Sequence, residues 1–192
     1  GVMPTEYDPS LPPGVIYRKD WNFKGAWSVS AKFTYHGEVD VRREGDADNW
    51  KMYQPGYSLM GFAFGAKNLF ESYNKVRNAS FVAWSDNGKF GFVGKAKNRG
   101  RGGREARLAD VPKLKAGDVI EIPLTAEPVN NYTKLTATMT GPDGNSVSVT
   151  QGSGTRGAEG FVGIVGRGLA DFSVNQLNVE PGKNQPLKVG EV

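Results

Sequence analysis

A two-sheet antiparallel β-sandwich is the fold this sequence predicts, and three observations predict it. Glycine is abundant, 26 of 192 residues, while the apolar fraction stays at 38%, a balance that suits many short elements joined by turns better than long helices. Several stretches alternate apolar and polar residues with period two, and no long stretch repeats at helical spacing. Turn-forming clusters such as Asp86-Asn87-Gly88 and Pro142-Asp143-Gly144-Asn145 separate the alternating runs, as hairpin loops do. Many short strands without intervening helices indicate a sandwich or barrel and not a parallel α/β sheet, and the sandwich is the prediction.

Taken in order, residues 1–13 hold Pro4, Pro9, Pro12 and Pro13 without periodicity and are expected to be a leader or linker. Residues 14–181 are the sandwich domain and 182–192 a tail. The clearest strand is Ala26–Tyr35: Trp27, Val29, Ala31, Phe33 and Tyr35 share one face, Ser28, Ser30, Lys32 and Thr34 the other. Further strands are expected at Val15–Arg18, Glu38–Arg42, Tyr57–Ala66, Ala79–Ser85, Lys89–Lys95, Val119–Ala126, Tyr132–Thr140, Ser146–Thr150, Gly160–Arg167 and Ala170–Val179. In the hairpin around Gly144, Leu135, Ala137 and Met139 alternate with threonines, and Val147 and Val149 with serines, so each strand buries one face. The length suits one core.

Composition narrows the function. No stretch approaches the roughly 18 apolar residues that cross a bilayer. The absence of cysteine excludes disulfides, thiolate metal sites and cysteine nucleophiles, and a single histidine makes a zinc site improbable. The opening Gly1-Val2-Met3-Pro4 is read as a processed or artificial end, and a secreted, periplasmic or cell-surface location is expected. Net charge is +4, yet Lys95, Lys97, Arg99, Arg101, Arg104 and Arg107 against Glu105 carry +5 within thirteen residues and leave the remainder at −1. The basicity is local.

The final third runs Asp118-Val-Ile-Glu-Ile-Pro-Leu, Tyr132-Thr-Lys-Leu-Thr-Ala-Thr-Met, Gly160-Phe-Val-Gly-Ile-Val-Gly-Arg-Gly and Asp171-Phe-Ser-Val-Asn-Gln-Leu-Asn-Val. This order resembles the closing strands of the concanavalin A-like lectin/glucanase superfamily. It looks closest to the branch with laminin-G-like domains, family 66 carbohydrate-binding modules and 3-keto-disaccharide hydrolase domains. The resemblance implies a jelly-roll sandwich and a carbohydrate ligand, but motifs of this kind report strand geometry and transfer no ligand by themselves. The Glu-x-Asp-x-x-Glu run of the glucanase branch is absent. So are the Arg-rich, Gln-x-His and Tyr-x-Lys strands of the alginate-lyase branch: His36 sits in Tyr-His-Gly.

Candidate site residues follow from chemistry. Sugars stack on exposed aromatic rings. Trp50 follows a polar stretch, Arg42 to Asn49, and precedes Tyr53 and Tyr57, so these three are candidate ligand contacts, whereas the alternation puts Trp27 in the core and leaves Trp84 open. Glycines between Arg99, Arg101 and Arg104 leave guanidinium forks to meet carboxylate, sulfate or phosphate. An anionic polysaccharide is one expected partner; a solvated loop is the bland alternative, and nucleic acid is disfavoured because no nucleic-acid motif accompanies the cluster. Asp46 and Asp48 look like part of a calcium loop but lack the full spacing, so calcium is an open expectation. Glu38 and Asp40 stand two apart on one expected strand face, about 6.5 Å, within the separation that glycoside hydrolysis requires. His36 is placed at a turn, either as a general base or as a surface residue. The sequence therefore supports a secreted carbohydrate-binding domain, with a glycan-degrading hydrolase or lyase and a protein-interaction module as alternatives.

Overall fold

The computed structural model describes residues 14–38, 58–68, 79–93, 108–154 and 158–180. Among them are twelve strands and no helix: β1 (Gly14–Ile16), β2 (Asn22–Phe23), β3 (Trp27–Glu38), β4 (Leu59–Ala66), β5 (Ser80–Ser85), β6 (Lys89–Val93), β7 (Leu108–Asp110), β8 (Val119–Val129), β9 (Tyr132–Thr140), β10 (Ser146–Gly154), β11 (Gly160–Arg167) and β12 (Ala170–Glu180). They form two antiparallel sheets. One has five strands in the order β10-β9-β8-β3-β12; the other has seven, β1-β11-β4-β5-β6-β7 with β2 also on β11. The predicted two-sheet sandwich is the fold. The leader expected over 1–13 and the tail over 182–192 lie outside the described residues, and no described helix is long and apolar enough to cross a membrane.

Strand β3 shows why the sequence folds this way. Its odd residues from Trp27 to Tyr35 are buried and its even ones from Ser28 to Thr34 are part-exposed, so one face meets the other sheet. Trp27 packs on Phe64 with ring centroids 6.2 Å apart, Phe33 on Phe62 at 5.7 Å edge-on, and Tyr35 on Trp84 at 5.0 Å. Each such pair adds about 0.5–1.5 kcal/mol beyond the area it buries.

The strand also corrects an expectation. His36 and Gly37 were expected at a turn, with a separate strand beginning at Glu38. Instead β3 continues to Glu38, because Gly37 pairs with Asp171 and Glu38 with Ala170 on β12. The Tyr35 N–H donates to the Asp118 carbonyl (2.8 Å) and the Tyr35 carbonyl accepts from Gly117 N–H (2.7 Å), which holds the chain extended there. Residues 39–42 lie outside the described residues. Strands β2 and β7 are too short for alternation to announce them.

The central strands β4, β5 and β11 of the seven-stranded sheet are buried on both faces. Met60, Phe62, Phe64, Val82, Trp84, Phe90, Phe92, Val162 and Ile164 face the five-stranded sheet. Leu59, Ala63, Ala66, Phe81, Ala83 and Val165 form a second apolar cluster on the other face. Gly61 is required here by packing: a Cβ on it would overlap the Val82 carbonyl and Ala83 of the neighbouring strand.

Candidate functional site

The pairings define two ends of the sandwich. Glu38, Leu59, Ser85, Lys89, Arg167 and Ala170 lie at one end, linked through the registers of β3, β4, β5, β6, β11 and β12. Phe23, Ala66, Phe81, Val93 and Gly160 lie at the other.

At the first end, Glu38 is exposed at the tip of β3. The neighbouring Tyr35 phenol is pushed up to about 12, first by burial and then by the negative charges of Glu38 and Asp86. His36, exposed on β3, has its Nε2 2.9 Å from Ser173 Oγ on β12. Ser58, fully buried, accepts from Leu169 N–H through its hydroxyl (3.0 Å), while its carbonyl accepts from Asp86 N–H (3.0 Å). Lys89 pairs with Asp110 across β6 and β7.

The opposite end carries a cleft of about 300 Å³ lined by Asn22, Phe23, Lys24, Lys67, Glu159 and Gly160. Its construction starts from Phe23, which is 1% exposed and packs on Trp27 at 5.6 Å between ring centroids. With Phe23 pinned inward, its neighbours Asn22 and Lys24 are exposed on either side of it. Gly160 pairs with Phe23 on one side of β11, and Phe161 pairs with Ala66 of β4 on the other. Gly160 has φ +133°, and a Cβ there would overlap the Ala66 carbonyl, so the strands meet closely where the cleft begins. Lys67 follows Ala66 directly and donates from Nζ to the Glu159 carbonyl at 3.0 Å. Trp27 Nε1 donates to the Ala158 carbonyl at 3.1 Å, tying the five-stranded sheet to the same segment.

The described lining of the cleft therefore draws on two lysines, an asparagine and a glutamate beside Phe23 and Gly160. At the start of β9, in the five-stranded sheet, Tyr132 is 42% exposed, the one large aromatic so exposed among the described residues. The described tryptophans, Trp21, Trp27 and Trp84, are buried. The core placement of Trp27 is as expected, and Trp84 is resolved into the core.

Of the sequence-predicted site residues, Glu38 and His36 are described, both at the end of the sandwich away from the cleft. Asp40, Asp46, Asp48, Trp50, Tyr53, Tyr57, Arg99, Arg101 and Arg104 lie outside the described residues. Among those described, no group of three or more His, Cys, Asp or Glu side chains is arranged to hold a metal ion. The cleft residues escaped sequence reasoning because they come from three separate places in the chain; Lys67 and Glu159 are 92 positions apart. Tyr132 could have been found, since it continues the outward parity of Lys134, Thr136 and Thr138.

No protein-family model and no curated protein matches this chain. Solved structures do. Lectin II from Ulex europaeus aligns over 87% of this chain and 77% of its own, with TM-score 0.48 and 14% identity. Peanut lectin in complex with a 9mer peptide aligns over 82% and 68%, with TM-score 0.45 and 10% identity. The marine PL-14 alginate lyase from Aplysia kurodai aligns over 78% and 70%, with TM-score 0.40 and 7% identity. These are likenesses in the arrangement of strands.

Proposed function

We propose that this chain is a carbohydrate-binding domain, secreted or surface-located, that takes its ligand at the end of the sandwich bearing the Asn22–Lys24, Lys67 and Glu159 cleft. The observation that carries the reading is the lining of that cleft. A sugar ring presents hydroxyls that each donate and accept, and the residues that line this space of about 300 Å³ include side chains of both kinds, Lys24 and Lys67 as donors, Glu159 as an acceptor and Asn22 as both. Binding is the reading preferred over hydrolysis: among the described residues the cleft lining includes one acidic residue, Glu159, whereas glycoside cleavage uses two carboxyl groups.

An anionic polysaccharide is the finer form of the proposal. The basic run from Lys95 to Arg107 begins two residues after Val93, the last residue of β6, which ends at this same end of the sheet. Arg99, Arg101 and Arg104 are its cationic candidates, and Trp50, Tyr53 and Tyr57 its aromatic ones.

The test is a panel of neutral and acidic polysaccharides, with and without calcium, each positive followed by product analysis. Binding without new reducing ends or unsaturated products is expected. Turnover would replace the proposal with a glycan-degrading enzyme, and silence across the panel would replace it with a protein-interaction module.

A further inference from the structure

We infer that two copies of this chain join edge to edge, β10 of one beside β10 of the other, antiparallel about a two-fold axis at Ser148. The edge strands of the sandwich differ in how they are protected. β1 and β7 are three residues each, too short to offer a long ladder. β12 is interrupted by two register shifts, holds Gln176 at φ +50° and exposes Asp171 and Glu180; bulges and charges of this kind keep an edge from pairing. β10 has none of these. Its nine residues include no charge and no proline, and its ladder with β9 runs without a register shift. Among the described residues only β9 pairs with it.

Ladder parity identifies the groups this edge offers. Gly141 N–H donates to the Asn145 carbonyl at 2.9 Å, in the register that continues as Ser146 opposite Thr140 and Val147 opposite Met139. Bonded and non-bonded pairs alternate along an antiparallel ladder, so Val147 and Val149 turn their backbone groups to β9 while Ser146, Ser148 and Thr150 turn theirs away. The side chains agree: the hydroxyls of Thr138 and Ser148, and of Thr140 and Ser146, meet at 2.7 Å, as residues of the closer, non-bonded pairs can.

The edge is also its own complement. A two-fold axis sets residue i opposite j and j opposite i. With the axis at Ser148, Ser146 falls opposite Thr150 of the second copy, Val147 opposite Val149 and Ser148 opposite itself, with Asn145 facing Gln151 beyond. Hydroxyl meets hydroxyl on the exposed face, valine meets valine on the core side, and no like charges oppose each other. The residues so matched are those whose backbone groups face outward, so the same register closes about six N–H···O bonds. Two five-stranded sheets become one continuous sheet.

Sedimentation of the full chain from about 5 to about 500 μM, a range suited to an interface at the small end of the known sizes, should show wild type passing from monomer to dimer. The chain has no cysteine, so an introduced one reports the register directly. Bonded partners across an antiparallel pair have Cα atoms about 5.5 Å apart, within disulfide reach. Under mild oxidation Ser148→Cys should therefore cross-link, whereas Thr138→Cys, one strand further in and about 14 Å from its own copy, should do so at least about tenfold less. Ser148→Lys sets like charges opposite each other on the axis and should weaken dimerisation about fivefold at low salt; an equal mixture with Ser148→Glu should restore it. Ser148 is exposed, so each variant should keep the near-UV circular dichroism of wild type. A wild type that stays monomeric throughout the range, a dimer that Ser148→Lys leaves unchanged, or equal cross-linking of the two cysteine variants would overturn the pairing.

Discussion

The two sheets solve burial differently. The five-stranded sheet buries one face and leaves the other wet: along β8 and β9 the outward residues include Glu121, Thr125, Lys134, Thr136 and Thr138, while Ile120, Ile122, Leu124, Leu135, Ala137 and Met139 point to the core. Its outer hydroxyls pair with one another across strands, Thr138 with Ser148 and Thr140 with Ser146, each at 2.7 Å. The seven-stranded sheet buries both faces of its central strands β4, β5 and β11. Its β4, Leu59-Met-Gly-Phe-Ala-Phe-Gly-Ala66, has no polar residue at all. A sheet with one wet face announces itself by alternation, whereas a sheet covered twice reads as a continuous apolar run.

A charge placed on each outer face is the strongest way to break this comparison. Ala83 is 1% exposed and belongs to the second apolar cluster, so Ala83→Lys should cost at least about 3 kcal/mol in urea unfolding, because the ammonium has no partner and no water there. Thr138→Lys, outward on β9, should change stability by no more than about 0.5 kcal/mol. Equal effects from the two would mean that the outer face of the seven-stranded sheet is open to solvent.

A second prediction concerns the connection by which the chain passes from the seven-stranded to the five-stranded sheet between β11 and β12. Its Leu169 N–H relies on the buried Ser58 hydroxyl. Ser58→Ala should cost about 1–3 kcal/mol, since the amide is then left buried without an acceptor. A shift below that range in the same unfolding experiment would show that the amide finds another acceptor.

The smallest effect lies where Tyr35 of one sheet packs on Trp84 of the other. A folded-state phenol raised to about 12 against roughly 10 in the unfolded chain makes the folded state hold its proton longer. Its contribution is fully present below about pH 10 and is lost as pH climbs towards 12. Tyrosinate absorbance should show one phenol ionising late, and Tyr35→Phe should remove that late step together with part of the alkaline loss of stability. An unchanged titration would place the late phenol elsewhere.

These contrasts separate what was legible from what was not. Gly160–Arg167 and Tyr132–Thr140 appear in the structure with the bounds that the pattern predicts. Trp84 did not declare its side, because Phe81 and Ala83 opposite it are as apolar as Val82 beside it, and both sets proved to be buried. The end of β3 was misread because Gly37 resembles a turn residue, yet at φ +97° it sits opposite the register shift between Asp171 and Phe172 within the β3–β12 ladder. The candidate site was the least legible part. Of the residues that chemistry alone nominated, Glu38 and His36 are described, and both stand at the end of the sandwich away from the cleft.

By itself, the sequence determined the class of fold and which face of β3, β8 and β9 turns inward, because period-two patterning is a local property that fixes burial before any partner strand is chosen. Only the tertiary structure decided that Asn22, Lys24, Lys67 and Glu159 share one cleft. Their meeting depends on β11 pairing with β2 on one side and β4 on the other, and strand order between segments so distant in the chain is set by packing of the whole core, which no local pattern encodes.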